Sequence, residues 1–94
     1  MLGPNVALNQ SANADSFNGS GYEAYRANNG NLSDLWLADL YAPMPSWWYV
    51  NLSNITNIYK INVTFYEYSV PIHYAIYTSN DGTTWTEKIE KSYY

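Results

Sequence analysis

Gly, Pro and Asn interrupt this chain so often that helical periodicity finds no room, and that punctuation limits the fold more than any other feature. What survives between the breaks is alternation with period two. Trp48-Tyr49-Val50-Asn51-Leu52 places Trp48, Val50 and Leu52 on one face. Tyr59, Ile61, Val63 and Phe65 share a face opposite Lys60, Asn62 and Thr64. Both read as half-buried antiparallel strands. Tyr74-Ala75-Ile76-Tyr77-Thr78 reads as another, with Thr84-Trp85-Thr86-Glu87-Lys88-Ile89 as its partner. Ser79-Asn80-Asp81-Gly82-Thr83 between them carries the Asp-Gly signal of a tight hairpin. Asn5-Val6-Ala7-Leu8 is expected as a short edge strand. Pro43, Pro45 and Pro71 fall between strands, where a missing backbone donor does no harm. Many short strands separated by turns predict an all-β protein, an antiparallel β-sandwich or jelly roll.

Ninety-four residues suit one domain, and a domain this small needs large side chains to fill its interior. Eleven Tyr and four Trp supply them. Met1-Leu2-Gly3-Pro4 reads as a leader or cloning remnant ahead of a single domain over 5–94. It lacks the basic and apolar regions of a signal peptide. Charged residues make up 13% of the chain, about half the ~25% of an ordinary soluble domain, so Asn, Ser and Thr must carry the polar surface. Such a surface suits neutral, hydroxyl-rich ligands. With a net charge of −4 and only Arg26, Lys60, Lys88 and Lys91 positive, the chain offers no footprint for nucleic acid. No apolar run approaches the ~20 residues of a membrane span. The absence of cysteine excludes disulfides, zinc–thiolate sites and a thiol nucleophile. Six Asn-x-Ser/Thr sequons, at Asn9, Asn18, Asn31, Asn51, Asn54 and Asn62, follow from composition before glycosylation is invoked. One His and scattered carboxylates, with Asp15, Asp34 and Asp39 showing no paired spacing, give no support to catalysis.

Four segments in order carry a family resemblance. The chain opens with Asn5-Val6-Ala7-Leu8. Gly21 to Trp36, GYEAYRANNGNLSDLW, follows Gly-Tyr-x-Ala-x-x-Ala-x-Asp-Gly-Asn-x-x-Thr-x-Trp at most positions. Trp47 to Ser53, WWYVNLS, follows Trp-x-x-Val-Asp-Leu-Gly, and Ser79 to Trp85 gives Ser-x-Asp-Gly-x-x-Trp. In these the chain resembles the discoidin or coagulation-factor type C domain, a galactose-binding-like jelly roll similar to family-32 carbohydrate-binding modules. The family continues for several more strands, so the resemblance covers the N-terminal two-thirds of the fold. It implies a truncated piece of the fold, a fold whose closing strands another chain supplies, or a reduced sandwich, with self-association expected through the open sheet edge.

The resemblance also implies sites. Its loop around Asn29 wraps a calcium ion with backbone carbonyls, an Asp, a Thr and a late Glu; the matching positions here are Ala27, Asn29, Asn31 and Asp34. Asn29 is neutral where the family has Asp, and Asp34 stands in for Thr, so such a site would be weak. The alternative reading, which we prefer, is that Asn28 to Asn31 form a left-handed turn, which Asn and Gly tolerate best. Trp36, Trp48 and Trp85 match positions that pack inside the sandwich, as does Tyr22. Trp47 faces the other way if its strand is regular. Family sugar sites lie in the loops at one end, here 20–26, 41–47 and 66–73. Glu23, Tyr25, Arg26, Tyr41, Trp47, Tyr66, Tyr68 and His73 are therefore the candidate ligand residues, with His73, Arg26 and Glu23 around an axial hydroxyl. The plain alternative for His73 is a surface residue.

The expectation is a non-catalytic carbohydrate-binding module, exported to the cell surface or medium, recognising a galactose-like glycan or glycoprotein. The alternative is an adhesive or structural module that binds protein or a second copy of itself. A phospholipid-binding version is disfavoured by the shortage of cations.

Overall fold

The computed structural model describes residues 5–43, 45–65 and 72–93. The chain divides into two compact units, Met1–Thr56 and Asn57–Tyr94. Each holds one two-stranded antiparallel sheet.

In the first unit, β1 (Ala12–Ala14) pairs with β2 (Trp48–Val50), with Ala12 opposite Val50, Asn13 opposite Tyr49 and Ala14 opposite Trp48. Backbone bonds from Asp15 to the Trp47 carbonyl (3.1 Å) and from Asn51 to the Ser11 carbonyl (2.9 Å) extend the pairing at both ends. Directly opposed residues share a face. Ala12, Ala14, Trp48 and Val50 therefore line one side, all half-buried, and Asn13, Asp15, Trp47 and Tyr49 line the other, all exposed. A single 3₁₀ turn, η1 (Ala24–Ala27), lies against the inner side, where the Trp48 indole N–H donates to the Ala24 carbonyl at 2.9 Å. The Trp36 indole likewise donates to the Ser16 carbonyl at 2.9 Å.

Two expected strands differ from what forms. Asn5–Leu8 is a turn, not an edge strand. The Asn5 side chain accepts the Ala7 N–H at 3.1 Å, and Asn9 adopts a left-handed φ of 58°. Asn side chains compete with a ladder in this way, and the strand starts only at Ala12. β2 stops at Val50 because the Asn51 carboxamide accepts the Ser53 N–H at 2.9 Å and Ser53 turns to φ 73°.

This N-terminal turn is anchored by Asn28, the buried polar residue among those described. Its side-chain Nδ2 donates to the Ala7 carbonyl (2.7 Å) and the Gln10 carbonyl (2.9 Å), and its backbone carbonyl accepts the Asn9 N–H (2.8 Å). Asn28→Ala is expected to cost about 1–2 kcal/mol through the two lost bonds. The check is a denaturant midpoint together with faster amide exchange at Asn9.

In the second unit, β3 (Ile72–Thr78) and β4 (Thr86–Tyr93) form the expected hairpin, with β4 starting two residues later and running further than the pattern implied. The register shifts between Ile76–Ile89 and Tyr77–Glu87, which leaves Lys88 as the extra residue of a bulge. Ser79 and Asp81 organise the connection. The Ser79 hydroxyl accepts the Gly82 N–H at 2.8 Å, while Asp81 Oδ1 accepts the N–H groups of Thr83 and Thr84, both at 2.8 Å. Gly82 occupies φ +75°, where a Cβ costs about 1–2 kcal/mol.

The backbone bonds from Thr84 and Thr83, followed by the Ser79 hydroxyl, hold the Asp81 carboxyl below its ordinary 3.8. A carboxylate depressed in the folded state contributes stability above its unfolded pKa, and that contribution is lost as pH falls through the folded value. The Thr83 and Thr84 amide resonances should therefore stay fixed down to about pH 4 and move only in stronger acid. Asp81→Asn should abolish that titration.

The alternating segment Tyr59 to Phe65 makes no strand among the described residues. Period two describes which side chains share a face. A strand also needs a ladder partner for its N–H and C=O groups, and none forms here. Phe65 instead packs on Tyr74, with ring centroids 5.1 Å apart. Nor is any large apolar side chain fully buried among the described residues. Trp36 and Trp48 are half-buried, and Trp85, expected inside, is 44% exposed beside the two-stranded hairpin.

Candidate functional site

The outer side of the β1–β2 ribbon presents a stacked aromatic pair. Trp47 and Tyr49, two residues apart on an extended segment, stack with centroids 5.7 Å apart and planes 26° from parallel. They are 53% and 38% exposed. Asn13 and Asp15 on the paired segment share that face, which sets an amide and a carboxylate beside the rings. Rings flanked by a few hydrogen-bonding groups can cover the apolar face of a pyranose and hold its hydroxyls.

A second aromatic position lies at η1. Tyr25 is 53% exposed, and the Arg26 guanidinium sits over its ring, 5.1 Å from the centroid. Glu23 stands beside it. A cavity of about 250 Å³ opens between this turn and β1, lined by Ala12, Ala14, Phe17, Glu23, Ala24 and Tyr25 among others. That is smaller than the ~300–1,000 Å³ of ordinary small-molecule pockets, so it admits one ring at most.

Arg26 engages two carboxylates. Its Nε donates to Glu23 Oε1 at 2.7 Å, and Nη1 donates to Asp34 Oδ2 at 3.0 Å and Oδ1 at 3.3 Å. The hydrogen bond from Arg26 holds the Glu23 carboxyl below its ordinary value. Partial burial pushes Asp34 up, but hydrogen bonds from Asn29, Arg26 and the Leu35 N–H outweigh it and leave the carboxyl below its ordinary value. The bond to Glu23, together with Asp34, keeps the guanidinium pKa above its usual range.

The four positions matched to a calcium loop are arranged for other work. Asn29 Oδ1 accepts the Asn31 N–H (2.9 Å), and Asn31 Oδ1 accepts the Ser33 N–H (2.9 Å). Asn29 Nδ2 donates to Asp34 Oδ2 (2.8 Å). Calcium takes six to eight oxygens; here the side-chain oxygens already accept hydrogen bonds, and Asp34 faces a guanidinium. The donor set as arranged does not fit the ion. Ala27 ends η1. Within Asn28 to Asn31 only Gly30 is left-handed, at φ +81°. A Cβ there would meet the Leu8 side chain at 3.0 Å, so glycine serves both the turn and its packing.

Tyr41 is 95% exposed in its loop, where its N–H is held by Asp39 Oδ1 at 3.0 Å. His73 lies on β3 in the second unit, its Nε2 2.9 Å from Glu90 Oε1. Tyr66 and Tyr68 lie outside the described residues. Sequence reasoning missed Tyr49, Asn13 and Asp15. The alternation Trp47-x-Tyr49 carried the first of these; Asn13 and Asp15 join the site only through a strand pairing that no local pattern announces.

A family model described as the NedA-like, galactose-binding domain, in the coagulation-factor type C group, matches residues 26–92, well over half of the chain. The chain belongs to this family. A solved structure agrees: the chitosan-binding module 1 derived from the chitosanase/glucanase of Paenibacillus sp. IK-5 is similar at 27% identity and TM-score 0.66, covering 94% of this chain and 67% of the module. No curated protein matches at a significant level. As a galactose-binding-like domain the chain is all-β, with short antiparallel strands and one 3₁₀ turn among the described residues, as the sequence predicts. Among those residues no helix is long and apolar enough to cross a membrane.

Proposed function

We propose that this galactose-binding-like domain is a non-catalytic carbohydrate-binding module, acting outside the cell, that receives a glycan on the stacked Trp47–Tyr49 face. The stacked pair carries the reading, because the two near-parallel rings are both partly exposed and leave indole and phenol surface beside polar groups for a partly apolar ligand. Family membership and the similarity to a chitosan-binding module support a sugar as that ligand. Asn13 and Asp15 supply an amide and a carboxylate for hydroxyl groups, and Asp15 also suits an amino sugar. Engagement of Arg26 with two carboxylates leaves Glu23 and Arg26 as a support for Tyr25 rather than a clamp for an axial hydroxyl.

Calorimetric titration with galactosides and with chitosan oligosaccharides tests the proposal. Binding in the micromolar-to-millimolar range is expected, as a shallow face with a few contacts provides. A folded protein that binds neither class removes it. The exposed rings also suit a second reading, in which the face meets protein or another copy of the chain. Light scattering that shows a stable oligomer with Trp47 shielded favours that reading instead.

A further inference from the structure

We infer that Arg26 is a built-in cation for the 23–34 loop, so that this domain holds the loop without calcium. The family's resemblance places an ion where one loop must gather several oxygens; here the one matched carboxylate, Asp34, meets a guanidinium instead, which also holds Glu23. Arg26 bridges Glu23 on one side and Asp34 on the other, at 2.7 and 3.0 Å, tying together the two ends of the 23–34 segment. Asn29 donates to the same Asp34 oxygen at 2.8 Å. All three charged side chains are largely covered, between 17% and 29% exposed. A planar fork of donors suits this task, since it meets two carboxylates at once in fixed directions. Two carboxylates facing one permanent cation leave a single negative charge, and a divalent ion could enter only by displacing the arginine. The Asn at position 29, neutral where the resemblance expects Asp, fits the same logic. It contributes a donor, which a metal site has no use for and a carboxylate does.

The test uses the sugar-free protein, so its outcome is independent of glycan binding. Melting midpoints are measured in a chelator and in about 5 mM calcium chloride, a concentration that saturates a site of ~10⁻⁴–10⁻³ M affinity. They should agree within about 1 °C; a calcium-induced rise of ~4 °C or more, which binding at that affinity would produce, overturns the inference. Arg26→Gln should lower the midpoint and Arg26→Lys should restore part of it, whereas an unchanged midpoint in Arg26→Gln overturns it. The wild type gives a readout that needs no variant. The Arg26 Nε–H should appear as a protected proton resonance at neutral pH, insensitive to calcium. Its absence, or its loss on adding calcium, also overturns the inference.

Discussion

Trp47→Ala is expected to weaken glycan binding at least tenfold, while the melting midpoint moves by only a few degrees. The two effects separate because the indole does two jobs of unequal size. Its outer surface is the proposed platform, and truncating a central aromatic anchor typically removes 2 kcal/mol or more of binding, beyond the ~1.4 kcal/mol that makes tenfold. Its contribution to folding is the stack on Tyr49, worth about 1 kcal/mol for an aromatic pair. Trp47→Phe keeps a smaller flat ring and should lose less affinity. Calorimetry on the two variants, paired with thermal melts, checks the separation. If affinity and stability fell together in proportion, the ring would be structural.

Trp48→Ala should behave in the opposite way and cost about 2–3 kcal/mol of stability, below the 3–5 kcal/mol of a fully buried tryptophan because this one is half-covered. In a domain this size that lowers the midpoint by on the order of 10 °C. The indole fills the inner side of the β1–β2 ribbon beside Ala12, Ala14 and Val50, and its N–H satisfies the Ala24 carbonyl of η1. Removing it opens space under the ribbon and leaves that carbonyl without its donor. Trp48→Phe keeps most of the ring and loses only the hydrogen bond, so about 1 kcal/mol is expected. Neighbouring tryptophans thus divide the work: one indole faces in and one faces out.

That division was legible in the sequence, since adjacent residues of a strand point to opposite faces. The Asp81-Gly82 hairpin was legible for an equally local reason. Asp81 caps two N–H groups within three residues, and Gly82 alone tolerates the φ the turn requires. Ala12–Ala14 was not legible. Its three small residues carry no strand preference, and the segment is a strand because Trp48–Val50 pairs with it from more than thirty residues away. Tyr59 to Phe65 failed for the complementary reason, having the pattern without the partner. At the loop, the residue types matched to calcium were read by position alone. Nothing in their spacing revealed that Arg26 reaches across to Asp34, because that contact depends on how η1 turns the chain.

Sugar is proposed to meet the outward indole and spare the inward ones, and the four tryptophan side-chain N–H resonances report on that directly. Titrating the labelled protein with galactosides and chitosan oligosaccharides should shift the Trp47 resonance in a saturable way. The Trp36 and Trp48 resonances, tied to the Ser16 and Ala24 carbonyls, should hold still. A folded protein whose Trp47 signal stays fixed while a sugar demonstrably binds would contradict the account.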